Sequence, residues 1–335
     1  MTRTPLFAFL LISTLLTCSC SKSNNDTPTP TPPVDTTTLV KPDTLTEGWS
    51  KIKIDTTQIL DIFFNNNNTG YAITDHSSLF KTTNGGLTWA IKNDTVRGIN
   101  MAVTNNGNIH YINGNGTIHT SVDGGSNFSS ITLSPFGESY DLFFPDDNNG
   151  FTVCGGVLFQ TNNSGINWTA VTPTTGLSLS STGYYTQFFL NDTTGWICGD
   201  GKIFKTNGNL HNWTQSTFTV VPSYGRFVNA YPTSASTIYA VSFGNVFKSI
   251  DSGNNFSVVY ALKLPTTYPP DIHFIDTNTG YISDANRIYK TTNGGTSWAP
   301  VVSLGGSSRM VEIHFTDANH GWGCTTDGYI LRYSL

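Results

Sequence analysis

Seven polar residues recur at one level of a repeat of roughly 40 residues, a period typical of propeller blades, and together they could meet a cation or a polar ligand. Counted three residues back from an apolar anchor they are Asp61, Asn100, Asp141, Thr186, Asn229, Asp271 and Glu312. Oxygen donors gathered on one level suit a hard cation, and they suit a water-facing wall equally well. Six residues before the anchor stand Gln58, Arg97, Glu138, Gly183, Arg226, Tyr268 and Arg309. Arg97, Arg226 and Arg309 are three of the five arginines that follow residue 20. Guanidinium groups on one level could clamp a carboxylate or an acidic peptide through paired hydrogen bonds, or pair with Glu138 and its neighbours.

The elements that would position these levels are strands and turns. The cleanest repeats are Lys81-Thr82-Thr83-Asn84-Gly85-Gly86-Leu87-Thr88-Trp89 and Lys290-Thr291-Thr292-Asn293-Gly294-Gly295-Thr296-Ser297-Trp298. Ser121 to Phe128 is close to them, and weaker copies run from Thr161 to Trp168, Thr206 to Trp213 and Ser249 to Phe256. Ahead of each box an apolar anchor precedes an aromatic by seven residues, as in Phe64 and Tyr71, Phe144 and Phe151, Phe189 and Trp196, Phe274 and Tyr281, and Phe315 and Trp322. Pro232 and Tyr239 are a weaker pair, and the copy near Val103 is degenerate. Asn, Asp and Gly between the members supply turn chemistry. Each unit therefore reads strand A, turn, strand B, turn, strand C, box, strand D.

The last unit stops at Tyr329-Ile330-Leu331-Arg332-Tyr333 with no box after it, and Gly48 to Ile54 matches the strand that follows a box elsewhere. The expected fold is all-β: a seven-bladed β-propeller of four-stranded antiparallel blades, closed by this N-terminal strand completing the last blade, which removes open sheet edges. The box is expected to be structural, because it recurs in nearly every blade. Its Asn or Asp accepts backbone N–H bonds in the turn, and its aromatic packs between sheets. Cys154, Cys198 and Cys324 are expected as small buried residues on strand B, Cys154 and Cys198 being near enough in the ring for a disulfide to be weighed.

The chain divides into residues 1–19, 20–47 and 48–335. Arg3 ahead of the apolar run Leu6 to Leu16 reads as a signal peptide, too short for a mature membrane span. Leu15-Leu16-Thr17-Cys18-Ser19-Cys20 resembles a lipoprotein signal, with Cys20 expected to carry the lipid and Cys18 as the alternative. The Ser, Thr and Pro that follow, including Thr27-Pro28-Thr29-Pro30-Thr31-Pro32-Pro33, suit an extended tether. Charged residues are 12% of the chain and the net charge is -5, without a basic stripe, which argues against a nucleic-acid partner. No spacing suits a metal, and no cofactor is expected.

The boxes resemble the BNR or Asp-box repeat, and the fuller pattern resembles the photosystem II stability and assembly factor-like β-propellers. Thr194-Gly195-Trp196-Ile197-Cys198-Gly199-Asp200-Gly201-Lys202-Ile203-Phe204-Lys205-Thr206 shows this most clearly, and the resemblance extends over 48–335. It implies a non-catalytic factor that binds a protein during assembly, here expected as a monomer held by its lipid to the cell envelope, at the outer membrane. Sialidases also carry Asp-boxes. Arg97, Arg226 and Arg309 would match their carboxylate clamp in number, with Tyr268 and Glu312 in the other roles, but the Phe-Arg-Ile-Pro segment is absent. Glycan binding is the third reading, through Tyr184, Tyr185, Tyr224 and Tyr268, which are expected to be exposed in the D-to-A connections.

Overall fold

The computed structural model describes residues 43–335, apart from 136, 138, 207, 220–226 and 263–268, and among them every regular element is a strand. Blade 1 consists of Ile59–Phe64, Gly70–Thr74, Leu79–Thr82 and Ala90–Asn93, paired in that order. Blades 2 to 6 repeat the arrangement over 100–132, 142–170, 185–215, 227–261 and 271–303.

Blade 7 takes Met310–Asp317, His320–Thr325 and Tyr329–Ser334 from the end of the chain and Trp49–Lys53 from its start. Trp49 lies opposite Tyr333 and Lys53 opposite Tyr329, so the two ends of the fold share one antiparallel ladder. The Trp49 ring packs on Tyr281, Phe315 and Tyr333, tying that strand to blade 6 as well as to blade 7.

Two short strands extend the blades. Thr44–Leu45 runs antiparallel to Ala299–Ser303 on the edge of blade 6, so strand pairing is already present ahead of residue 48. Thr217–Phe218 runs parallel to Asn255–Ala261 on the edge of blade 5. Both cover ladder edges that would otherwise stand open.

Strand B is buried along its whole length in five-residue segments such as Gly70–Thr74, Gly195–Gly199 and Gly280–Asp284, because neighbouring blades press on both of its faces. That explains its continuous apolar composition. The outer strands, for example Ala90–Asn93, are mostly exposed.

The anchor and aromatic of the sequence pattern meet across blade boundaries. Phe64 stacks on Trp322 at 3.5 Å between ring centroids, Phe189 on Phe151 at 3.6 Å, and Phe274 on Tyr239 at 4.0 Å. Each anchor thus lies on the strand-B aromatic of the preceding blade, a contact that adds about 1 kcal/mol beyond area burial. Gly70 leaves room for the anchor: a Cβ there would lie 2.5 Å from the Phe64 ring.

The box turns are self-contained. In blade 1 the Thr82 hydroxyl accepts from the Gly86 N–H, while Asn84 Oδ1 accepts from the Thr88 N–H. The same pair of bonds recurs through Ser121 and Asp123, and through Ser249 and Asp251. Gly86 sits at φ +84 with Trp322 against it, a conformation open to glycine. Cys154, Cys198 and Cys324 are buried free thiols.

Candidate functional site

Strands A meet at the centre of the propeller and enclose a cavity of about 470 Å³. Two levels of side chain face it. Asn100, Asp141, Thr186, Asn229, Asp271 and Glu312 form one; Phe63, Ala102, Phe143, Phe188, Tyr231, His273 and His314, two residues further along each strand, form the other. A spacing of two puts both levels on one face of each strand.

The polar level is a girdle as much as a wall. Asp61 accepts a hydrogen bond from the Met101 N–H at 2.5 Å, Asn100 from Leu142 at 2.8 Å, Asp141 from Gln187 at 3.0 Å and Asp271 from Ile313 at 2.8 Å. Each bond runs from one blade to the next. Glu312 accepts from the Ile62 N–H and hydrogen-bonds Asp61, which carries the series across the seam between blades 7 and 1. Asn229 donates to Asp271, and Thr186 is held within its own blade by Cys198. Asp61 departs from the expected water-facing position: it is 2% exposed and lies behind the cavity wall, where its carboxyl is drawn to the Met101 amide.

Burial raises the pKa of the girdle carboxyls. The Asp141 carboxyl is pushed up to about 7, chiefly by desolvation, with Asp61 and Asp271 adding repulsion. Asp271 is raised to about 6 on the same grounds. Burial raises Asp61 and, together with the Asp61 charge, holds Glu312 well above the usual carboxylate range. Desolvation lowers His273 to about 3 and His314 to about 4, leaving both neutral. His314 Nε2 contacts the Phe64 carbonyl at 3.1 Å, and Tyr231 Oη lies 3.4 Å from His273 Nε2. Sequence reasoning missed the second level; the alternation two residues from the polar level was the available signal.

The arginine level is placed only in part. Arg97 is exposed on the connection between blades 1 and 2. Arg309 donates through Nη1 to the Ser308 carbonyl at 2.8 Å and the Gly306 carbonyl at 3.3 Å, both on its own connection. Neither lines the cavity. Arg226, Tyr268 and Glu138 lie outside the described residues, as do Tyr224 and Cys20. Tyr184 is 44% exposed and stacks on Tyr140 at 4.0 Å beside the cavity. Tyr185, expected to be exposed, is buried, because its hydroxyl turns inward to Asp200 and accepts from the Ser180 N–H. Among the described residues no group of three or more His, Cys, Asp or Glu could hold a metal ion.

Fold and channel define the class: a seven-bladed β-propeller of four-stranded antiparallel blades. Residues 41–180 match the family described as photosynthesis system II assembly factor YCF48. The structure resembles YCF48 from Cyanidioschyzon merolae at 18% identity and a TM-score of 0.69, covering 86% of this chain and 98% of that one. It resembles YCF48 bound to D1 peptide at 17% identity and a TM-score of 0.68, covering 90% and 100%. A catalytically inactive virginiamycin B lyase from Staphylococcus aureus also shares the fold, at 12% identity and a TM-score of 0.67, covering 86% and 99%. No curated protein sequence matches.

Proposed function

We propose that this chain is a non-catalytic, lipid-anchored β-propeller of the cell envelope that binds a protein or peptide as an assembly scaffold. The observation that carries the proposal is the likeness over nearly the whole fold to a propeller bound to a peptide, together with the assembly-factor match over 41–180. Such a fold offers a rigid face whose D-to-A connections can be varied without disturbing the blades. Arg97 and Arg309 stand on those connections, and Arg226, Tyr268 and Glu138 fall at the same sequence level. Lipidation at Cys20, with the Thr- and Pro-rich segment ahead of Thr44 as tether, would hold the propeller at the membrane, with the outer membrane as the proposed site.

The test is capture of the partner. Cells expressing the affinity-tagged full chain are crosslinked and captured proteins are identified by mass spectrometry, in parallel with a folded Arg97→Glu, Arg226→Glu, Arg309→Glu variant. One envelope protein captured by the wild type and lost in the variant supports the reading. Equal capture by both moves the contact off the arginine level, and absence of a specific partner overturns the scaffold role. Loss of fatty-acid labelling in Cys20→Ser, with labelling retained in Cys18→Ser, tests the anchor.

A further inference from the structure

We propose that the central channel receives a basic side chain, the guanidinium or ammonium group of a lysine or arginine on the partner polypeptide. This inference rests on the protein-binding role proposed above and names the chemistry that one of its contacts would recognise.

Charge complementarity selects this occupant. Asp141 on one side of the cavity faces Asp271 and Glu312 on the other, and no lysine or arginine is among the described residues that line it. The wall is divided in a second way. Blades 5 to 7 present Tyr231, His273 and His314, whereas Phe63, Phe143 and Phe188 supply the apolar remainder. An aromatic collar beside acidic groups suits an amphipathic cation, whose stem or guanidinium plane packs on rings while its charge meets oxygen. Gln187, a wall residue only 3% exposed, retains a side-chain oxygen with no hydrogen-bond partner.

The girdle carboxyls already accept backbone N–H bonds from neighbouring blades, so they are held in place before any ligand arrives. That preorganisation lowers the ordering cost of binding. An entering cation favours their ionised form, so binding releases protons and strengthens as pH rises toward 8. His273 and His314 are neutral, burial raises Tyr231 to about 12, and the buried Cys198 and Cys324 thiols behind the girdle are raised as well.

The probe is the peptide acetyl-Gly-Gly-Arg-Gly-Gly amide against its citrulline counterpart, which keeps the shape and removes the charge. Each is titrated into the full chain by calorimetry at about pH 8 and about pH 5. Expected results are at least about tenfold tighter binding of the arginine peptide, weakening at the lower pH, and a loss of about tenfold in each of Glu312→Gln and Asp141→Asn. Lys92→Ala, on the exposed outer strand of blade 1, leaves this affinity unchanged. Equal affinity for the two peptides, no binding of either, or binding indifferent to both carboxyl substitutions overturns the proposal. Asp141→Asn, on the wall away from the closing seam, carries the test should Glu312→Gln fail to fold. Partner capture that persists in Asp141→Asn, with no arginine-peptide binding, would remove this inference and leave the scaffold role standing.

Discussion

Glu312 and Asp61 hydrogen-bond across the seam where the last blade meets the first, so the closing contact of the propeller is a pair of buried carboxyl groups sharing a proton. The outer rim of the same blade is completed by the N-terminal strand through five residue pairs from Trp49 to Lys53. Closure therefore acts at both radii: a carboxyl pair at the axis and a backbone ladder at the rim.

The raised carboxyls make stability depend on pH. Asp141 titrates near 7 in the fold against an ordinary 3.8, so between those values the native state holds a proton that the unfolded chain has lost. Its contribution is fully present below about 3.8 and is lost as pH rises through about 7. Asp141→Asn cannot ionise. It should be more stable than the wild type by about 2 kcal/mol at about pH 8, and no more stable at about pH 4, in urea unfolding. The neutral histidines contribute equally to both proteins and cancel in the difference. An Asn variant with no advantage at the higher pH would show that the wall bears the charge without cost.

Trp49 should be the most sensitive residue of the closing strand. Its ring is 8% exposed and contacts Tyr281, Phe315 and Tyr333, so Trp49→Ala removes packing from two blades at once. A loss of about 3–5 kcal/mol is expected in denaturant unfolding, the range for large-to-small substitution of buried aromatics. A loss below about 1 kcal/mol would mean that the ladder alone closes the ring.

Gly70→Ala tests why glycine opens strand B. The added methyl would meet the Phe64 ring at 2.5 Å, and that ring is fixed by its stack on Trp322. Destabilisation of about 1–3 kcal/mol is expected from overpacking. Gly114→Ala is the control, because a Cβ there meets nothing within 4 Å. Comparable melting shifts in the two variants would contradict the packing account.

The box hydroxyl is a fourth test. Ser249 is 1% exposed, and its Oγ accepts from the Gly253 N–H at 2.8 Å while donating to Asp251 at 2.7 Å. Ser249→Ala strands that amide and should cost about 1–3 kcal/mol. Ser249→Thr should be close to neutral, since Thr82 and Thr291 make the same bonds in blades 1 and 6. Differential scanning calorimetry separates the two outcomes.

Much of this was legible without coordinates. The spacing of Phe64 from Tyr71 and the box from Thr82 to Trp89 led to four strands per unit, and the missing box after Tyr333 led to closure by Trp49. These are local patterns repeated from blade to blade, and repetition turns a weak signal into a strong one. The exposure of Tyr185 was misread because its hydroxyl finds Asp200 and the Ser180 amide, partners that no periodicity reveals.

By itself the sequence determined the blade count, the strand order and the level at which polar residues recur, because these follow from turn chemistry and alternation within each repeat. Only the tertiary structure decided which side chains converge. Asp61 turns to the Met101 amide and to Glu312 of the last blade, while Asp141 remains at the cavity wall. The reason is physical: a repeat encodes contacts within itself and with its neighbour, whereas the axis is a place where all seven strands meet. There burial, repulsion and a shared proton are set by residues far apart in the chain.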